Sequence, residues 1–206
     1  MNEKKPVDDH HLLLLPDAGP LITLAYADAL DLLLEPGWSL ALVDMVLHEV
    51  TRNETPTSNQ LAEWSRNRQV EVLSTRTYAR YQRMRTDSVP PPRKTNLGEL
   101  AIQEVMHELA LESPPRTGMF LFEDHKIARA GFFLPDNCHK VSTRAFLLFL
   151  EGRGKLPSAT EIERRAVRAG RRFSRLSLPA REARSARRVV RGRRRRERLA
   201  EVAKGP

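Results

Sequence analysis

Cysteine is nearly absent: the 206 residues hold one, Cys138. A single thiol excludes an internal disulfide framework and any cysteine-rich zinc site, and it suits a reducing compartment. Long apolar runs are missing as well. The most conspicuous, LLLL at 12–15, stops at Pro16 and Asp17, far short of the roughly 20 residues a membrane helix needs. Nothing has the build of a secretory signal, and there is no internal repeat. The expectation is a soluble, cytoplasmic protein with no membrane partner.

What is present is charge, unevenly placed. The formal net charge is +9. Residues 161–206 carry 17 Lys or Arg against 5 Asp or Glu, a net of +12, which leaves 18 against 21 in residues 1–160. A mildly acidic body is followed by a strongly basic extension, an asymmetry that points to a polyanion, most often nucleic acid. Hydrophobic residues make up 40% of the chain, enough for one ordinary core.

The apolar pattern predicts short buried strands alternating with helices. Strands are expected at Leu12–Leu15, Ser39–Val43, Val70–Leu73, Met119–Phe122 and around Val141. An all-apolar strand such as LLLL fits a parallel sheet covered on both faces. Helices are expected over 20–34 with a break near Tyr26 to Asp28, from Asp44 as N-cap through Val50, over 59–68, over 97–112, from His125 to Ala130 and over 143–151. The long helix, LGELAIQEVMHELALE, spaces Leu100, Ala101, Val105, Leu109 and Ala110 for one inner face. Thr51–Ser58 reads as loop, and TRTYARYQRMRT at 75–86 reads as a basic amphipathic helix or a mobile arm. VPPPRK at 89–94 reads as a stiff linker. The alternation argues for an α/β fold with a parallel sheet. A domain over 1–156 would then be followed by an Arg-rich extension over 157–206, helical or partly disordered, whose two helical stretches either dock on the body or stay loose.

Two of the best strands end in a carboxylate, LLLLP-Asp17 and FLFE-Asp124. Ligands of open parallel sheets sit at the carboxyl ends of the strands. Glu49, on the helix after the second strand, and Glu99, in the first turn of the long helix beside Gly98, are candidates for the same edge. Four carboxylates in one cleft repel one another unless a cation sits among them. Hard oxygen donors without a Cys or His cluster favour Mg²⁺ or Mn²⁺ over zinc, and such a site suits phosphodiester hydrolysis. Each acid also has a simpler reading: Asp17 and Asp124 as helix caps, Glu49 as a surface residue, Glu99 as a partner of its helix dipole. His48, His107 and His125 read as ordinary half-buried histidines.

The order of DAGPLITLA, VDMVLHEV, LGELAIQE and FLFEDHKIARAGF resembles the PIN domain, in particular its VapC-like branch of toxin ribonucleases, over roughly residues 12–150. The resemblance implies a three-layer fold with a central parallel sheet between helices, and an acidic pocket that binds Mg²⁺ or Mn²⁺ and cuts RNA. By motif, Asp17, Glu49, Glu99 and Asp124 match the four family acids, which hold the metal and position the attacking water. Glu123 adjoins Asp124 and exchanges roles with it if the register slips by one. The VPPPRK insertion and the Arg-rich extension lie outside the family pattern.

Lys126 and Arg129, one helical turn apart, face either substrate phosphate beside Asp124 or solvent. RRVVRGRRRRERLA offers Arg188, Arg191, Arg193, Arg194, Arg195 and Arg196 to a phosphate backbone, with steep salt dependence. The other readings of this segment are a solvated tail and a docking segment for an acidic, antitoxin-like partner. Two functions stand side by side: a metal-dependent endoribonuclease, the toxin of a toxin–antitoxin pair or an RNA-processing enzyme, and a non-cleaving nucleic-acid-binding protein with a PIN-like body. The resemblance also brings a possible homodimer, for which the sequence offers no interface.

Overall fold

Leu13, Leu14 and Leu15 are each at most 1% exposed. Successive strand residues point to opposite faces, so three buried in a row require cover on both sides of the sheet. A computed structural model, which describes residues 12–87, 96–123 and 134–172, supplies that cover. The chain runs β1 (Leu12–Pro16), α1 (Ala18–Tyr26), a 3-10 turn (Leu30–Leu33), β2 (Ser39–Val43), α2 (Asp44–Thr51), α3 (Pro56–Asn67), β3 (Glu71–Leu73), α4 (Arg76–Thr86), α5 (Leu97–Leu111), β4 (Thr117–Phe122), β5 (Cys138–Ser142), α6 (Thr143–Gly152) and α7 (Ala159–Arg168).

The five strands form one sheet in the order β3-β2-β1-β4-β5, and every neighbouring pair is parallel. The molecule is thus α/β, a parallel sheet flanked by helices. The chain builds outward from β1 to β3 on one side, then returns to place β4 and β5 on the other. That reversal puts a topological switch point between β1 and β4, whose registers pair Pro16 with Leu121.

The expected strands all form: Ser39–Val43 has the expected bounds, β1, β3 and β4 shift by one or two residues at one end, and β5 spans Val141. Differences elsewhere have physical causes. α3 begins at Pro56, inside the expected loop, because Thr55 caps it by accepting the Ser58 amide and Pro56 sits where no amide partner is needed. Asp44 is the first residue of α2 and not its cap. Its carboxylate accepts from the Met45 amide and from both the amide and hydroxyl of Thr75, at 2.7 Å each, tying β2 to the start of α4. On α5 the buried face is Gly98, Ala101, Ile102, Val105, Met106 and Leu109. Leu100, expected inside, is 49% exposed. Of the 75–86 segment, Arg76–Thr86 forms a helix without one buried residue, and the buried Thr75 is its N-cap.

α7 was expected in the basic extension. It packs on α1 and α6 with Ala159, Ile162 and Ala166 buried in the common core, and the compact unit runs on to Arg172. Of the two readings of 159–173, docking on the body is the one found through 172. Among the described residues no helix is long and apolar enough to cross a membrane. The expected helix at 125–130, the linker at 89–94 and the arginines from 188 to 196 lie outside the described residues.

Candidate active site

At the switch point the strands β1 and β4 each run out into an acid, Asp17 and Glu123. Asp17 follows Pro16, and its amide donates to the Leu121 carbonyl at 2.9 Å, extending the β1–β4 ladder by one bond. It occupies the N-cap position of α1 in extended conformation, yet its side chain makes no capping hydrogen bond. The helix-cap reading of this residue therefore loses its physical basis. Asp17 is half-buried.

Glu123 follows β4 directly, and its Cβ lies against Gly19, two residues beyond Asp17: a methyl on Gly19 would stand 2.9 Å from it. The Glu123 carboxylate is fully engaged. Thr23, 1% exposed, donates its hydroxyl to Oε1 at 2.7 Å, and the Arg171 guanidinium donates to Oε2 at 2.5 Å. Arg171 also donates Nε to the Thr23 hydroxyl at 2.8 Å, so the three side chains close a ring. The two charged side chains keep 19% and 17% of their exposure. α7 ends so as to aim this arginine. Gly170 adopts φ +107°, a left-handed conformation that favours glycine, and the Gly170 and Arg171 amides bond back to Val167 and Ala166. Sequence reasoning missed Arg171 and gave Thr23 no role. The signal available was a threonine in the second turn of the helix after a strand-end acid, and a Gly-Arg at a later helix end.

Glu49 approaches from α2. Its Oε1 accepts the Gly98 amide at 3.2 Å, at the first turn of α5. Burial pushes the Glu49 carboxyl above its ordinary range, offset in part by the Gly98 amide and the Arg52 charge. Glycine at 98 leaves room for the Glu49 tip, since a methyl there would lie 2.8 Å from Glu49 Oε2. Glu99, the next residue, is half-buried in the first turn of α5. His48, beside Glu49, lies between the Tyr78 and Tyr81 rings at 5.4 and 5.3 Å.

The donor types suit a hard cation, and a carboxyl lifted by burial is one that a cation would relieve. Among the described residues, however, no group of three or more His, Cys, Asp or Glu side chains is arranged to hold a metal ion. Asp17, Glu49 and Glu99 alone do not assemble one. Asp124, Lys126 and Arg129 lie outside the described residues. The arrangement that is described offers an ionic latch at the switch point and, on α2, a carboxyl raised by burial. Comparison with known proteins finds no matching family profile, no matching curated protein and no matching solved structure.

Proposed function

We propose that this chain is a metal-dependent endoribonuclease with a PIN-like body, the toxin of a toxin–antitoxin pair or an RNA-processing enzyme. The observation that carries the reading is the adjacency of two strand ends. β1 and β4 flank the switch point of a parallel sheet, the place where such folds bind ligands, and the chain turns acidic at both. A central parallel sheet with helices on both faces is what the PIN resemblance implies. The Glu49 carboxyl, raised by burial, adds a second acid-bearing element whose charge calls for a positive partner.

Asp17, Glu49, Glu99 and Asp124 would hold Mg²⁺ or Mn²⁺, with Asp124 completing a set that the first three do not make alone. When bound, the ion supplies an acidified water and charge neutralisation at phosphate. The chain's own part is positional. The β1–β4 ladder fixes Asp17, and Gly98 lets Glu49 sit close to the positive end of α5. The Thr23–Glu123–Arg171 ring keeps Glu123 committed elsewhere. Register thus favours Asp124 over Glu123 as the fourth acid.

The Glu123–Arg171 pair also favours the second reading, a nucleic-acid-binding protein that does not cut, because a built-in cation already neutralises one switch-point carboxylate. RNA cleavage with Mg²⁺ or Mn²⁺ by wild type and Asp17→Asn separates the two. Loss of cleavage in Asp17→Asn supports the nuclease, and equal cleavage removes Asp17 from the chemistry.

A further inference from the structure

α4 is a helix that the core does not require. It has no buried residue, and its 11 residues include Arg76, Arg80, Arg83 and Arg85 with no acid. Even so, polar devices hold it firmly against the two acid-bearing helices. The Glu104 carboxylate on α5 accepts the Arg76 amide at 2.8 Å, and the amide and hydroxyl of Thr77 at 3.1 and 2.9 Å. Thr75 caps the same end by accepting the Tyr78 amide. Tyr78 and Tyr81 stack on each other, and both rings meet His48 of α2, next to Glu49, at a tilt.

Arg76, Arg80 and Arg83 recur at four and three residues, the spacing of one helix face, and span about 10 Å of axis. Arg76 lies 3.9 Å from Glu104 and 4.0 Å from Glu108. Arg80 and Arg83 form no ion pair with a described carboxylate and are exposed. The same face borders a groove of about 1010 Å³ between α4 and α5, lined by the apolar Tyr81, Met84, Leu97, Leu100 and Leu111 and by His107 and the acids Asp87, Glu104 and Glu108. Leu100 and Leu111 are 49% and 86% exposed.

We propose that α4 and this groove bind single-stranded RNA, with phosphates on Arg80 and Arg83 and an unstacked base in the groove. The mixed rim fits a nucleotide better than a plain polyanion. Arginines take the phosphates, the apolar floor and the Tyr81 ring take a base face, and Glu108 accepts from an exocyclic amine. The inference rests on the reading of the chain as acting on RNA, and it places the substrate beside α2 and α5, which carry Glu49 and Glu99.

The test is binding of a short labelled single-stranded RNA to the full chain in EDTA, followed by anisotropy over a salt series. Arg80→Ala/Arg83→Ala is expected to bind roughly tenfold more weakly, with a salt slope shallower by about 1.4 for two lost phosphate contacts. Leu100→Ser should weaken binding with the slope unchanged, and thiouridine-substituted RNA should cross-link to residues 77–84. Unchanged affinity and slope in the double variant, with a wild-type melting curve, would overturn the proposal. So would equal competition by a polyglutamate peptide, which would make the groove a site for acidic protein segments. Because no cleavage enters the readout, a chain that binds in this way but never cuts RNA refutes the nuclease reading alone. A nuclease indifferent to the double variant refutes the groove alone.

Discussion

Glu49 and Gly98 meet across two helices: the carboxylate on α2 accepts the amide of α5 at 3.2 Å, and the absent Cβ of Gly98 leaves the space that Oε2 fills. The contact joins a half-buried acid to the positive end of the helix that carries Glu99. It makes residue 98 a sensitive handle on Glu49, with the core side chain Val46 the next neighbour of an added methyl, at 3.3 Å.

Gly98→Ala should therefore separate stability from activity. The obstruction is the tip of a flexible side chain, so Glu49 swings aside. Alanine is the better helix former by up to about 1 kcal/mol, so the melting temperature should stay close to wild type. RNA cleavage should fall on the order of a hundredfold, as expected for a misplaced catalytic group, and as far as in Glu49→Gln. Wild-type turnover in Gly98→Ala would show that the position of Glu49 is irrelevant to the reaction.

Removing divalent ions should abolish cleavage, and adding Mn²⁺ should restore it in wild type but not in Asp17→Asn. The substitution removes no capping bond from α1, and a melting curve of Asp17→Asn separates loss of fold from loss of chemistry. Its loss should lower the rate by on the order of 10²-fold or more, the scale for a positioned catalytic carboxylate. Cleavage that survives chelation would end the metal requirement.

Breaking the switch-point latch should cost stability before activity. Arg171→Met leaves the Glu123 carboxylate, whose side chain is 17% exposed, without its cation. Removing one partner of a largely buried pair costs about 3 kcal/mol. Arg171→Met/Glu123→Gln should recover much of that loss. Urea denaturation reads both values, and additive costs in the double variant would mean that the two side chains are not coupled.

Acid should loosen α4 ahead of the body. Burial alone would raise the Glu104 carboxyl. The Arg76 amide, the Thr77 hydroxyl and amide, and the Arg76 charge outweigh it and hold the group below its ordinary value of 4.5. A depressed carboxyl stabilises above its unfolded value and loses that contribution as pH falls through the folded one. Hydrogen exchange should show α4 protected at neutral pH and progressively open below about pH 4.5, while Glu104→Gln is open at both. His107, Glu108 and Arg80 line the same groove and belong in the control set. Equal protection of α4 in wild type and Glu104→Gln at neutral pH would refute the role of Glu104.

Deleting residues 181–206 should weaken RNA binding and flatten its salt dependence, since it removes a run of arginines available to phosphate. An unchanged slope in the same anisotropy assay would remove the tail from RNA recognition.

The sheet was legible because parallel strands buried on both faces must be apolar throughout, and LLLL, SLALV and MFLF can be little else. The strand-end acids were legible for the same reason, since charge appears where burial stops. Leu100 was misread because a helix resting on one side of a sheet buries a narrower stripe than its apolar residues suggest. The bond from Asp44 to Thr75, the glycine cradle at 98 and the Thr23–Glu123–Arg171 ring were not legible. Each joins residues 31 to 148 positions apart through hydrogen bonds that leave no periodic trace.

The seating of α7 bears on how this chain can be shortened. A version ending near Pro157 would drop Ile162 and Ala166 from the leucine layer, strip Glu123 of its guanidinium, and precipitate or melt early for reasons unrelated to nucleic acid. Ending it beyond residue 172 keeps both supports, so that whatever then fails can be ascribed to the missing arginines.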